Sequence, residues 1–213
     1  MSATAAPFGL APALHPSGIV RPAGWGGPQP LGGFTIASGA AFNIFLNSPV
    51  QVDAAGPTGN LILATALGAA GAGAAANKIM GAFQGVEFTL TATGRRTISN
   101  YWPTGTVATS IVAWATRDPW IMYEIQANGS VTAANLGGQA SISTNGSSNG
   151  NTTTGFSTVS LDVTTGSSLT QSSTNQLRIV GFSQRIDNLP GDAFTVCLVQ
   201  ISMHQDVAVL AAY

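Results

Sequence analysis

Histidine, cysteine and acidic side chains are the groups from which this sequence could build a metal or catalytic site, and they are few. The chain has two histidines, His15 and His204, one cysteine, Cys197, and eight acids. Zinc sites need several such ligands at close spacing. Neither histidine has a Glu or a second His at ligand spacing. We therefore predict no metal site and no cofactor.

Catalytic pairs are equally scarce. The sequence has no G-x-S-x-G motif, phosphate loop or dinucleotide fingerprint. Cys197 lies in an apolar run with no basic neighbour to lower its pKa, which favours a buried core residue. Carboxylate pairs for glycoside hydrolysis would require the fold to join Asp118 with Glu124, or Asp187 with Asp192. Glu124 is better interpreted as an outward-facing strand position, and we interpret the chain as a non-enzyme.

The stretch Gln176–His204 is the element around which the rest is organised. Two apolar runs flank the segment RIDNLPGDA, whose Asp, Asn, Pro and Gly residues favour turns. This pattern predicts a β-hairpin with a long, structured loop. Arg178 and Arg185 on the first strand side face Asp187 and Asp192 in the turn, so the loop carries either a cross-loop ion pair or weak surface pairs.

Residues 34–213 have the pattern of one β-rich body. Short apolar runs begin at Phe34 and are separated by glycine, proline and asparagine, as in a meander. Gly81 and Gly85 interrupt one run and predict a bulge or bend, and Asn128–Gly129 predicts a tight hairpin. We expect an all-β fold, a single β-barrel or sandwich-like body with long loops and little helix.

Two segments differ from this body in composition. Residues 1–33 are rich in proline and glycine and predict an extended, irregular N-terminal arm. The arm carries Phe8, Leu10 and Trp25 and is too apolar for a free tail, so we expect it to pack on its own domain or on a neighbouring subunit. Within the body, residues 141–175 form a polar segment in which 23 of 35 residues are Ser, Thr or Asn.

Charge is sparse throughout the chain. Charged residues make up 7% of it, against roughly 25% in ordinary soluble domains. A surface with so few charges gives little electrostatic repulsion between molecules, which favours association. Seven scattered Lys and Arg residues cannot neutralise a run of phosphates, which argues against nucleic acid. The Ala/Gly run Ala64–Ala76 is too short to span a bilayer, and the N-terminus lacks a signal-peptide pattern, so we expect cytoplasmic synthesis and no membrane partner.

An aromatic and basic loop, GRRTISNYWPTG, is the strongest candidate binding segment. Arg95, Arg96, Tyr101 and Trp102 are the residue types that anchor protein interfaces. We favour an interface over a small-molecule pocket here. The apolar C-terminus, ending at Tyr213, predicts a tail docked on a partner.

Several segments together resemble capsid cement or decoration proteins of tailed bacteriophages. The resemblance covers Phe8–Gly18 and Ile79–Gln205, and its segments in order are FGLAPALHPSG, MGAFQGVEFTLTATGRRTISNYWPTGT, RDPWIMYEIQANGSV and QLRIVGFSQRIDNLPGDAFTVCLVQISMHQ. It implies a β-barrel-like body, homo-oligomers at lattice symmetry positions and binding across capsomer seams.

From this resemblance and the sparse charge we expect a structural protein on the capsid exterior that stabilises the head. Its partners would be the major capsid protein and further copies of itself, as a dimer or trimer. The candidate interface residues are Phe8, Leu10, His15, Trp25, Arg95, Arg96, Tyr101, Trp102 and Tyr213. The alternative is a virion surface or fibre module that binds host glycans through the polar segment and Trp102 or Trp120.

Overall fold

The chain forms two antiparallel β-sheets, as the all-β prediction required. The computed structural model describes residues 4–16, 34–53, 59–64, 78–164, 169 and 175–207. The strands in these ranges are β1 Ala11–Leu14, β2 Pro49–Val52, β3 Leu61–Leu63, β4 Gly81–Leu90, β5 Arg96–Ser99, β6 Ala108–Ala115, β7 Met122–Gln126, β8 Gln139–Ile142, β9 Leu161–Asp162, β10 Leu177–Phe182 and β11 Val196–Ile201. The helical part of these ranges is one 3-10 turn, Ala133–Asn135, and none of it could cross a membrane.

The predicted hairpin is confirmed and lies within the larger, six-stranded sheet. The strand order there is β1-β7-β11-β10-β8-β9. Leu177 pairs with Ile201 at one end of the β10–β11 hairpin and Phe182 with Cys197 at the other. Cys197 and its alternate neighbours face a buried cluster with the inner residues of β7 and β8, since successive strand residues point to opposite faces.

Part of the N-terminal arm is a strand of this sheet. Ala11 pairs with Glu124, and Leu10 is completely buried in the core. Pro12 is tolerated because β1 is an edge strand and needs no donor on its outer side. Residues 4–16 therefore pack on the chain's own body, which was one of the two predicted placements. Trp25 lies outside the described residues.

The longest strand of the second sheet, β4, contributes residues to both hydrophobic clusters. Its order is β3-β2-β4-β5, and β6 also pairs with β4. Ile79 and Ala82 face the first hydrophobic cluster, whereas Met80 and Phe83 face the second. The first residues of β4 therefore separate the two hydrophobic cores. The register of the β4–β6 pairing shifts at Gly85, as the predicted bulge requires.

One predicted connection is wrong. The tight hairpin at Asn128–Gly129 does not form, because β7 pairs with β1 and β11 and not with β8. Asn128 instead accepts a hydrogen bond from the Val163 amide at 2.9 Å and donates one to Asp162, also at 2.9 Å. Its side chain therefore anchors the β9 segment and does not close a turn.

The described part of the polar segment is bonded into the fold. Asn145 donates to the carbonyls of Pro49 at 2.8 Å and Ala64 at 2.7 Å, and the Ser147 hydroxyl accepts from the Asn43 amide at 2.9 Å. Asn and Ser side chains of this kind supply backbone groups with partners that regular pairing does not. Much of the Ser, Thr and Asn content thus stabilises loops. The Ala/Gly run after Ala64 lies outside the described residues.

Candidate functional site

Two predicted interface residues are buried in the chain's own core. Leu10 belongs to the first cluster, and Trp102 lies in the second, edge-on to Phe88 with ring centroids 5.2 Å apart. Both are completely buried. Their assignment to a partner interface is therefore wrong, because neither has surface left to offer.

Three more of these residues make contacts within the body. The Arg185 guanidinium lies 5.0 Å from the centre of the Phe8 ring, a cation–π distance. His15 Nε2 lies 3.3 Å from the Asp118 carboxylate. Tyr101 is half-buried and stacks on Phe45, which is buried. Tyr213 lies outside the described residues, and Arg95 and Arg96 remain exposed.

These two arginines belong to a surface that we call the β5 edge surface, made of Arg95, Arg96 and Ile98 on or just before β5 and of Val107, which precedes β6 on the far side of β4. Ile98 is 72% exposed and Val107 59% exposed. β5 is the outermost strand beside β4. Arg96 pairs with Glu87 of β4, and this hydrogen bond raises the pKa of Arg96. An edge strand with exposed aliphatic and arginine side chains is suited to bind another chain.

The loop of the β10–β11 hairpin forms a second surface, the hairpin tip, made of Ile186, Asp187 and Leu189. Ile186 is fully exposed and Leu189 is 60% exposed. The sequence pattern did not predict this surface, because the Asp, Asn, Pro and Gly residues of the segment favour a polar turn. Two large aliphatic residues inside such a turn were the available signal.

Buried hydrogen bonds fix the shape of this loop. Asn188 is buried and donates to the carbonyls of Ser183 at 3.0 Å and Val196 at 2.9 Å, and it accepts from the Val196 amide at 2.7 Å. Arg185 forms its ion pair with Glu124 of β7 at 2.6 Å. Arg185 therefore does not form the cross-loop ion pair, which was one of the two alternatives for this loop. These hydrogen bonds and this ion pair hold the hairpin tip in place within the single chain.

A third surface, the Trp120 groove, lies at the other end of the same hairpin. Its volume is about 440 Å³, and it is lined by Pro119, Trp120, Gln139, Arg178, Gln200, Ile201, Ser202, His204 and Val207. This volume lies within the range of ligand-binding clefts, roughly 300–1,000 Å³. Trp120 is 62% exposed, and its amide donates to Asp118 at 2.9 Å. Gln139 and Gln200 flank Arg178 on the neighbouring strands.

The charge of the groove comes from Arg178. Burial lowers the pKa of His204, whose Nδ1 accepts the Asp206 amide at 3.1 Å, so this ring is neutral at pH 7. Arg178 forms no ion pair with any residue that the structure describes. The groove therefore combines an exposed indole, amides and a single cation.

The groups considered for chemistry include a buried thiol and two acids that have basic partners. Burial raises the pKa of the Cys197 thiol to about 12, so it is a poor nucleophile. Asp118 contacts His15, and Glu124 contacts Arg185. Within the described ranges no three His, Cys, Asp or Glu residues cluster as metal ligands would. The three surfaces are suited to binding.

Comparison with known proteins identifies no relative: no family model, curated protein or solved structure matches the chain.

Proposed function

We propose that this chain is a capsid cement protein of a tailed bacteriophage. In this role it binds the outside of the major capsid protein lattice and stabilises the mature head by bridging capsomers. The carrying observation is that large apolar side chains are exposed on separate parts of the body: Ile98 and Val107 on one sheet, Ile186 and Trp120 at opposite ends of the other. A bridging protein needs at least two such surfaces.

Sparse charge supports the same function. An interface of standard size buries about 1,600 Å², and any charge within it must be desolvated or paired. The β5 edge surface has Arg96 already paired with Glu87 beside the exposed Ile98. We assign this surface to the lattice, because it offers aliphatic area and arginine together with the free edge of a strand.

The test is to add purified protein to expanded capsids assembled without it. We expect saturable binding and a higher temperature of capsid disruption. Ile98→Asp places a charge in the proposed interface and should weaken binding by about tenfold or more. Leu136→Asp, a change at an exposed aliphatic residue outside this surface, is the matched control and should bind normally. Capsids that neither bind the protein nor gain heat resistance would contradict the proposal.

A glycan-binding module is the second candidate, and the exposed Trp120 favours it. Its indole stands beside Arg178 and Gln139 in the groove, an arrangement in which an aromatic face and polar groups converge. Trp102, the other residue considered for this role, is buried. A glycan array with signals that Trp120→Ala abolishes and Phe156→Ala retains would support this function.

A further inference from the structure

We infer that the hairpin tip of one copy binds the Trp120 groove of a second copy. The tip presents Ile186 and Leu189 on either side of Asp187, and the groove presents Trp120 around Arg178. This contact specifies the self-association that belongs to the proposed function, and it can be measured without a capsid.

Apolar surface is the first complementary feature. Ile186 and Leu189 project from the body, whereas Pro119, Trp120 and Val207 line a concave surface. Burial of aliphatic side chains against an indole removes both from water and is favourable. Because Asn188 already fixes the loop, little conformational freedom is lost on binding.

Charge is the second complementary feature. Neither Arg178 nor Asp187 forms an ion pair with a described residue. Nearby charges are engaged: Asp118 contacts His15 and Asp206 pairs with Arg117 beside the groove, while Arg185 next to the tip pairs with Glu124. The contact therefore joins one uncompensated cation to one uncompensated anion, which fixes the orientation of the partner.

The fold places the two surfaces so that the contact must be intermolecular. Arg178 lies near the Leu177–Ile201 end of the hairpin and the tip follows Phe182 at the other end. Four residues of strand separate them by about 13 Å, so a copy cannot fill its own groove. Copies related by a two-fold axis would form both contacts at once, and copies arranged head to tail would form a ring where the rotation between them closes.

The experiment measures the mass of the full chain by sedimentation velocity at concentrations up to about 100 μM. We expect a dimer or trimer. Arg178→Asp and Asp187→Arg should each weaken association by tenfold or more, and the double variant should restore it, because the pair is re-formed with reversed charge. Ile186→Asp should also dissociate the oligomer.

Arg95→Asp, at an exposed arginine outside the tip and the groove, is the matched control and should leave the mass unchanged. Thermal unfolding confirms that each variant is folded. A monomer at every concentration, or an oligomer indifferent to both charge reversals, would overturn the inference. Saccharide binding by a monomer through Trp120 would also overturn it. An oligomer that passes these tests and fails to bind capsids would contradict only the cement proposal.

Discussion

His204 is a buried histidine whose protonation should destabilise the fold. Burial lowers its pKa below the ordinary value of 6.5. The unfolded chain therefore takes up the proton first, and the free energy of unfolding should fall as the pH decreases below about 6.5 until the folded-state pKa is reached. Urea denaturation at a series of pH values measures this fall.

His204→Asn is the control, since its side-chain oxygen can still accept the Asp206 amide. This variant should lose the part of the pH dependence that His204 causes. Equal slopes for the two proteins between pH 7 and the acidic limit of folding would contradict the assignment.

Single residues were predictable where the sequence pattern constrained them. Cys197 is buried in a strand, as the apolar run around it indicated. Trp102 is buried although its neighbours Arg95 and Arg96 are exposed. Tryptophan is as suitable for a core as for an interface, and an irregular segment has no periodicity to decide between them.

At the scale of elements, the close approach of β4 to the end of β6 is the most sensitive contact. A Cβ atom on Gly81 would lie 1.9 Å from the Thr116 carbonyl oxygen. Gly81→Ala should therefore lower the free energy of unfolding by about 3 kcal/mol or more, because backbone must move between two cores. Chemical denaturation measures the change.

Gly181→Ala is the matched control in β10. There the added Cβ would lie 3.6 Å from Leu198, an ordinary contact, and we expect a change within about 0.5 kcal/mol. If both substitutions cost the same, the close packing of β4 on Thr116 would be refuted.

Elements defined by local pattern were predicted better than their partners in the sheets. The β10–β11 hairpin has apolar strands and turn residues in sequence, and it forms as predicted. The sequence did not predict β1, because proline in this segment indicates irregular chain. Pro12 is compatible with a strand only at the edge of a sheet. The turn at Asn128–Gly129 failed because long-range pairing of β7 overrides local turn preference.

For the whole molecule, the composition predicts association but does not indicate which surfaces would carry it. The all-β class follows from short apolar runs and is shown by the two sheets. The Trp120 groove brings together residues from β8, β10, β11 and the loop before β7, so no single stretch of sequence could reveal it. Arg95 and Arg96, which were predicted as interface residues, are exposed on the β5 edge surface.

The most direct measurement is a cryo-EM reconstruction of expanded phage capsids incubated with this chain. We predict density for the two-sheet body on the outside of the lattice between capsomers. Ile98 and Val107 should face the major capsid protein, and Ile186 should lie in the Trp120 groove of a neighbouring copy. A shell whose density leaves no place for this chain, or one in which the β5 edge surface faces solvent, would contradict it.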